Sequence, residues 1–117
     1  MNIKLICLPT CSTCRNTQKY LEEKGATIEY QNIRENPPTI KELKEIHQQS
    51  GLPLKRLFNT SGNSYRALDL KNRFDELSEQ ELFKMLSDDG MLIKRPIIIG
   101  DDFVFIGFKK EQIDEVL

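Results

Sequence analysis

The stretch Ile3-Lys-Leu-Ile-Cys-Leu-Pro-Thr-Cys-Ser-Thr-Cys-Arg-Asn-Thr17 decides the fold of this chain. Its first part, residues 3–8, is a short and nearly continuous apolar run, which is typical of a buried β-strand. A proline and a threonine end that run, and a helix is predicted over residues 12–24, with a glycine as its C-terminal stop. Cys11 and Cys14 therefore fall where a strand turns into a helix.

The position of this Cys-x-x-Cys pair predicts redox chemistry. At the first turn of a helix, unpaired backbone N–H groups and the positive end of the dipole favour a thiolate over a thiol. They can bring the pKa of a cysteine well below its free value of about 8.5. Arg15 and Lys19 add positive charge nearby. We therefore expect Cys11 to be the nucleophile and Cys14, one turn further on, to resolve a mixed disulfide.

Other interpretations of the cysteines stay open. The pair could be incidental and have no role. A zinc site would need four ligands, and beyond the pair the chain offers only Cys7 and one histidine, so no metal site is predicted. Cys7 lies inside the first strand, where we expect a small buried hydrophobic residue. His47 falls on the apolar side of its helix and is expected to be packed rather than catalytic.

Strands and helices continue to alternate beyond the opening stretch. Residues 27–33 alternate in polarity and predict a second strand, parallel to the first. Capping boxes that begin at Thr39 and Ser78 open two helices, and a short, weakly specified helix is predicted between them over residues 66–76. Two apolar runs around the turn at residues 100–102 predict a β-hairpin, and a terminal helix follows it.

The resulting order is βαβ, a helical insert, then ββα. That is the order of a thioredoxin core, so we predict an α/β, thioredoxin-like fold with an inserted helical region, in one domain over residues 1–117. In such a domain a cis proline lies beside the redox turn. Pro96 precedes a buried strand and fits that position. We expect the Arg95–Pro96 bond to be cis, although only about 5–6% of X–Pro bonds in folded proteins are.

The composition narrows the class of protein. The formal net charge is -1 and the lysines and arginines are scattered, so the basic footprint of a nucleic-acid-binding protein is missing. No segment approaches the roughly 18 apolar residues of a membrane span, and no signal-peptide pattern opens the chain. Three cysteines, an odd number, argue against a secreted disulfide framework. We predict a cytoplasmic protein that contacts neither membrane nor nucleic acid directly.

Four stretches together resemble the arsenate reductase family of the glutaredoxin-linked type and the related Spx regulators. They are Cys-Ser-Thr-Cys-Arg-Asn-Thr at 11–17, Leu-Phe-Asn-Thr-Ser-Gly at 57–62 with Tyr-Arg at 65–66, Asp-Gly-Met-Leu-Ile-Lys-Arg-Pro at 89–96, and Gly-Phe at 107–108. The resemblance covers essentially the whole chain. It implies a thioredoxin core with an inserted helical region, Cys11 as the nucleophile, and Arg95 as an arginine that holds an oxyanion.

The resemblance does not select one activity, because the two groups of proteins differ in their arginines and cysteines. Arsenate reductases of this type hold the oxyanion with three arginines, but the two other positions are Asn59 and Gly107 or Phe108 here, which removes charge-assisted contacts. These enzymes also usually carry serine where Cys14 stands. Spx regulators instead carry a Cys-x-x-Cys whose disulfide switches binding to the C-terminal domain of the RNA polymerase α subunit. Gly51 lies about where those regulators present a glycine to the polymerase, although a helix C-cap also accounts for it.

Our leading hypothesis is a thiol–disulfide oxidoreductase with Cys11, Cys14 and Arg95 as catalytic residues. The predicted substrate-binding residues are Thr10, Ser12, Thr13, Arg15 and Pro96. No cofactor is predicted beyond glutathione as a candidate electron donor, and the expected partners are a small-molecule or protein thiol substrate with glutaredoxin or thioredoxin. The second hypothesis is a redox-switched regulator that binds the RNA polymerase α subunit. The third is a glutathione- and glutaredoxin-dependent arsenate reductase.

Overall fold

The computed structural model describes residues 1–117 and divides them into two compact units. The first unit contains Met1–Asn32 and Arg95–Leu117, and the second contains Ile33–Lys94. The second unit is therefore the helical insert predicted between βαβ and ββα. The description of the whole chain as a single domain stays a prediction.

The elements follow the predicted order. They are β1 (Asn2–Cys7), α1 (Ser12–Glu23), β2 (Thr27–Asn32), α2 (Ile40–Ser50), α3 (Asn63–Ala67), α4 (Leu70–Arg73), α5 (Glu79–Asp88), β3 (Ile97–Ile99), β4 (Val104–Ile106) and α6 (Lys110–Val116). The weak helix predicted over 66–76 is broken into α3, α4 and a 3-10 turn at Phe74–Glu76. The break falls at Asp69, whose left-handed backbone (φ 51°) cannot continue a right-handed helix.

The four strands form one sheet in the order β2-β1-β3-β4. As predicted from the helical crossover, β1 and β2 are parallel, whereas β3 pairs antiparallel with both β1 and β4. The β3–β4 pair is the predicted hairpin, closed where Gly100 N–H donates to the Phe103 carbonyl at 3.0 Å. The Arg95–Pro96 bond before β3 is cis, as expected. This arrangement confirms the predicted thioredoxin-like fold.

One apolar cluster, here called the first core, fills the space between the sheet and helices α1 and α6. Its buried members are Ile3, Leu5, Cys7, Cys14, Leu21, Ile98 and Ile113. Side chains of a strand alternate between faces, so β1 sends every second residue into this core. Buried residues of α1 lie three and four positions apart and form one stripe that covers the same sheet face. A cysteine from β1 and a cysteine from α1 thus enter one core.

The second unit is built mainly on α2 and α5, and both helices begin at the predicted capping boxes. Thr39 Oγ1 accepts a hydrogen bond from the Glu42 N–H at 3.1 Å, and Ser78 Oγ accepts one from the Glu81 N–H at 3.2 Å. Gly51 ends α2 in the left-handed conformation, with φ 69°. None of the helices in either unit has both the length and the apolarity that crossing a bilayer requires.

Candidate thiol–disulfide site

Cys11 lies at the N-cap of α1 and is the one cysteine outside a disulfide. Its backbone is extended (φ -84°, ψ 124°), and its N–H closes the preceding turn by donating to the Leu8 carbonyl at 3.0 Å. The side chain is half-buried and packs against the first core. Cys11 therefore combines a fixed position with a sulfur that solvent can reach.

The surroundings of the Cys11 thiol favour its ionised form. Partial burial acts to raise the pKa of the Cys11 thiol, whereas the electrostatic influence of the backbone N–H groups of Cys14 and Thr13 acts to lower it. The Arg95 guanidinium lowers this pKa further, through a hydrogen bond and a favourable charge interaction. These contacts outweigh the burial and hold the pKa of the Cys11 thiol below its ordinary value.

Tyr30 on β2 is a neighbour of this site that the sequence did not single out. It is half-buried against the first core, as Cys11 is. Burial first, and then the negative charge of the Cys11 thiolate, raise the pKa of the Tyr30 phenol. A tyrosine in a strand usually signals packing, so no sequence pattern marks this one as a neighbour of the thiol.

Cys14 is joined by a disulfide to Cys7. The two Cα atoms lie 5.8 Å apart, within the usual range for a disulfide, and both residues are fully buried. The Leu8 N–H donates to Cys14 Sγ at 3.3 Å. The predicted pairing of Cys11 with Cys14 is therefore not the pairing present in the structure. Cys7 is buried as predicted, but its interpretation as a plain hydrophobic residue is wrong because its sulfur is bonded.

Side-chain direction explains why Cys7 rather than Cys11 pairs with Cys14. Cys7 follows Ile3 and Leu5 on the core face of β1, while Cys14 lies on the core stripe of α1. Cys11 caps the helix and only packs against this core from its half-buried position. Because side chains alternate along a strand, the sequence already places Cys7 on the same face of β1 as Ile3 and Leu5. Interpreting residues 3–8 as one continuous apolar run hides this alternation.

The predicted substrate-binding residues separate by exposure. Those exposed around the turn are Thr10, Ser12, Thr13 and Arg15. The Arg15 guanidinium donates to the Pro9 carbonyl at 3.3 Å, so its charge is directed at the turn itself, and Arg95 is the cation that hydrogen-bonds to Cys11. Pro96 is buried. The binding roles of these residues, and the catalytic roles of the predicted catalytic residues, stay predictions.

The positions where the resemblance calls for further arginines hold uncharged residues. Gly107 has a left-handed backbone (φ 92°). Phe108 packs edge-on against the Tyr20 ring of α1, with 5.7 Å between the two ring centroids. Asn59 belongs to the second unit. Arg95 is therefore the one member of the expected arginine set that this chain supplies.

The lone histidine is packed, as predicted. In the second unit, His47 is half-buried and its ring centroid lies 5.8 Å from that of Phe83. The structure contains no group of three or more histidine, cysteine, aspartate or glutamate side chains that could hold a metal ion.

Known proteins resemble this chain along nearly its whole length. The model of the ArsC family matches residues 7–116. The protein YusI of Bacillus subtilis is 45% identical over 115 residues, 98% of each chain. An arsenate reductase of Haemophilus influenzae is 34% identical over 110 residues, 93% of each chain. The global transcriptional regulator Spx 1 of Bacillus cereus is 28% identical over 98% of this chain and 86% of its own.

Solved structures of similar proteins belong to the same family as these sequence relatives. An ArsC family related protein from Bacteroides fragilis superimposes with a TM-score of 0.93 at 36% identity, covering 100% of this chain and 98% of the other. An arsenate reductase from Vibrio cholerae superimposes with a TM-score of 0.89 at 30% identity, again covering 100% and 98%. Both similarities extend through the helical insert as well as the thioredoxin-like core.

Proposed function

Because the chain belongs to the ArsC family, we propose that it is a thiol–disulfide oxidoreductase whose reacting group is the Cys11 thiolate. Family membership, together with cysteines at disulfide distance, confirms the predicted class of thiol redox protein. The observation that carries the proposal is the setting of Cys11. Cys11 is a half-buried thiol at the N-cap of α1, and the Arg95 guanidinium and the N-terminal backbone of that helix together hold its pKa low despite partial burial.

The reaction begins with attack by the Cys11 thiolate on one sulfur of a substrate disulfide. A bond forms between Cys11 Sγ and that sulfur, the substrate S–S bond breaks, and the other half leaves as a thiolate. In the reduced protein, Cys14 then gives its proton to solvent and attacks Cys11 Sγ. The mixed disulfide breaks and the second half of the substrate leaves as a thiolate. The substrate is reduced to two thiols, and the protein gains one disulfide.

Arg95 serves this reaction through its charge. A guanidinium beside the sulfur stabilises Cys11 as a thiolate when it attacks and again when it leaves. We propose a small-molecule or protein disulfide as substrate, and glutathione, glutaredoxin or thioredoxin as the thiol reductant that restores the protein. A cytoplasmic setting suits this cycle because a reducing compartment keeps a solvent-accessible cysteine as a thiol.

The test uses the mixed disulfide of glutathione and 2-mercaptoethanol, with glutathione consumption followed through glutathione reductase. We expect turnover by the wild-type protein and loss of turnover in Cys11→Ser. In Cys14→Ser the first step survives, so intact mass should show one glutathionyl group on the protein. Lys94→Gln removes the exposed cation next to Arg95 and serves as the matched control. Wild-type turnover by Cys11→Ser would overturn the proposal.

Arsenate is the substrate suggested by the relative from Haemophilus influenzae and by the structure from Vibrio cholerae. We propose that arsenate is at best a poor substrate here, because Arg95 is the only matched member of the expected three arginines. In a glutathione-coupled assay, arsenate turnover should be at least about tenfold below disulfide turnover. Equal turnover on the two substrates would make arsenate reduction the better assignment.

A regulatory function is the second candidate, favoured by similarity to Spx 1 over 98% of this chain. Gly51 lies about where the resemblance places the glycine that those regulators present to the polymerase, although its left-handed backbone at the end of α2 also accounts for it. We propose the C-terminal domain of the RNA polymerase α subunit as the partner for this function. Pull-down of that domain by the oxidised and the reduced protein is the test. Binding that depends on redox state would favour regulation, and no binding in either state would remove it.

A further inference from the structure

We propose that Cys7 is a third redox residue, to which the oxidation is passed inward from Cys11, so that the resting oxidised protein carries a buried Cys7–Cys14 disulfide and a free Cys11 thiolate. This inference rests on the proposed function and deepens it. It assigns a role to a cysteine that neither the Cys-x-x-Cys motif nor the family resemblance includes.

The structure provides the geometry for this transfer. Cys11 packs against the apolar cluster that contains both Cys7 and Cys14. Within that cluster Cys14 is bonded to Cys7. Cys14 also lies in the first turn of the helix that Cys11 caps, so its sulfur is the one that can exchange with both of the other cysteines.

The transfer is a disulfide exchange within one chain. After substrate reduction the protein holds a Cys11–Cys14 disulfide. Cys7 loses its proton to solvent that enters at Cys11, and the Cys7 thiolate attacks Cys14 Sγ. The Cys7–Cys14 bond forms, the Cys11–Cys14 bond breaks, and Cys11 leaves as a thiolate. One disulfide is present before and after, so no external oxidant or reductant is needed.

The surroundings of Cys11 favour this direction. A thiol of low pKa is the better leaving group in disulfide exchange, and Cys11 leaves at the N-terminus of α1 and beside the Arg95 guanidinium, which stabilises its thiolate. The product disulfide lies in the first core, where both of its cysteines are 0% exposed. A small thiol in solution cannot approach either of these sulfurs in the folded protein.

Because the Cys7–Cys14 disulfide is buried, a reductant can reduce it only through Cys11. The Cys11 thiolate attacks Cys14 Sγ, Cys7 leaves and takes a proton, and the Cys11–Cys14 disulfide returns. A thiol reductant, glutathione or a small dithiol protein, then attacks the solvent-accessible Cys11 sulfur and expels Cys14. A second reductant thiol displaces the first from Cys11 and completes the two-electron reduction.

The experiment locates the free cysteine in the oxidised protein. Full-length protein is oxidised with glutathione disulfide and denatured in mild acid, which suppresses disulfide exchange, and its free thiol is blocked with N-ethylmaleimide. The disulfide is then reduced at mildly alkaline pH and its cysteines are labelled with iodoacetamide. Trypsin cuts after Lys4 and Arg15, which leaves all three cysteines in one peptide, and fragmentation of that peptide locates each label.

We expect the maleimide label on Cys11 and both iodoacetamide labels on Cys7 and Cys14. A maleimide label on Cys7 would show that oxidation stops at Cys11–Cys14, and it would overturn the inference while leaving the proposed function intact. If glutathione disulfide gives no adduct on Cys11 in Cys14→Ser, the proposed function itself fails. The two failures are therefore distinguishable.

A second measurement tests the gating role of Cys11 without a variant that risks misfolding. Oxidised wild-type protein is alkylated at Cys11 under native conditions and then exposed to glutathione. Reduction of the Cys7–Cys14 bond should slow by at least about a hundredfold relative to unalkylated protein, because its only route is blocked. Equal reduction rates with and without alkylation would overturn the inference.

Two variants give an independent check on the role of Cys7. In oxidised Cys7→Ala and Cys7→Val, with folding checked by circular dichroism, the disulfide should join Cys11 to Cys14.

Discussion

Cys11 and Cys14 are three positions apart in the sequence but meet different surroundings. Cys14 is fully buried, in a core of isoleucine and leucine side chains, and is bonded. Cys11 is half-buried, and the Arg95 guanidinium interacts with its sulfur. At the scale of single residues, exposure and charge therefore distinguish the two cysteines, and this difference is why the proposed function assigns the attack to Cys11 and the resolving step to Cys14.

Removal of the Arg95 charge is expected to slow alkylation of Cys11 at neutral pH. Arg95 lowers the pKa of the Cys11 thiol, so in Arg95→Gln the pKa rises and less thiolate is present at any pH below it. The midpoint of the iodoacetamide rate against pH should move upward, with a rate about threefold to tenfold lower at pH 6 to 7. Lys94→Gln is the matched control. An unchanged midpoint in Arg95→Gln would contradict the role given to this contact.

At the scale of elements, α6 is tied to α1 by a small polar cluster. Asp114 accepts a hydrogen bond from the Tyr20 hydroxyl and pairs with Lys24 Nζ at 3.0 Å. The Tyr20 hydrogen bond first, and then the contacts of Lys24, hold the pKa of the Asp114 carboxyl below its ordinary value. The folded state therefore binds this proton less tightly than the unfolded chain. The stabilisation is present above the ordinary aspartate pKa and is lost as pH falls through the lowered value.

Asp114→Asn should loosen α6 at neutral pH. We expect backbone amides of α6 to exchange with solvent about twofold to fivefold faster in the variant, a small effect because the group is exposed. Acidification through the lowered pKa should reduce the protection factors of α6 amides in the wild type, once the intrinsic slowing of exchange in acid is corrected for, until the two proteins match. Hydrogen exchange followed by NMR measures this, with Asp102→Asn in the exposed hairpin turn as control. A constant difference at all pH values would exclude the carboxylate as its cause.

Two glycines of the second unit are expected to differ in their tolerance of alanine. Gly90 is buried, and a Cβ there would overlap the Ile33 carbonyl oxygen, so backbone must move and Gly90→Ala should lose about 3 kcal/mol of unfolding free energy. Gly51 has open space but a left-handed backbone, so Gly51→Ala should lose about 1 kcal/mol. Urea unfolding measures both. Equal losses would show that the contact with Ile33 relaxes freely.

At the scale of the whole molecule, the buried disulfide links redox state to stability. Cys7 and Cys14 are separated by seven positions, so their bond closes a short loop that includes the end of β1 and the start of α1. Closing such a loop restricts the unfolded chain and is worth about 2 kcal/mol in the chain-entropy estimate.

The oxidised protein should therefore unfold at a higher urea concentration than the reduced protein. We expect a difference of about 2 kcal/mol in unfolding free energy, measured by circular dichroism with and without dithiothreitol. Cys14→Ser, which cannot form the bond, should show no dependence on reductant. Coincident transitions for the oxidised and reduced wild-type protein would show that the disulfide adds nothing to the fold.

Local patterns in the sequence determined the element order, the two capping boxes and the thioredoxin-like fold. These features depend on neighbours a few positions away: hydrophobic period, Thr39 with Glu42, Ser78 with Glu81. The position of Cys11 at a helix N-terminus was local in the same sense. The insert between α2 and α5 was predicted least well, because a backbone reversal at Asp69 has no hydrophobic signature.

Only the tertiary structure decided which sulfurs meet. The Cys-x-x-Cys spacing predicted Cys11 with Cys14, yet α1 packs on β1 so that Cys14 faces Cys7 in the first core. The tertiary structure also decided which arginine lies beside Cys11. Arg15 is close in sequence but bonds to the turn, while Arg95 arrives from the segment before β3. The physical reason is common to both. Spacing along the chain defines which groups are near in sequence, but the packing of α1 and β3 on β1 defines which side chains share one space.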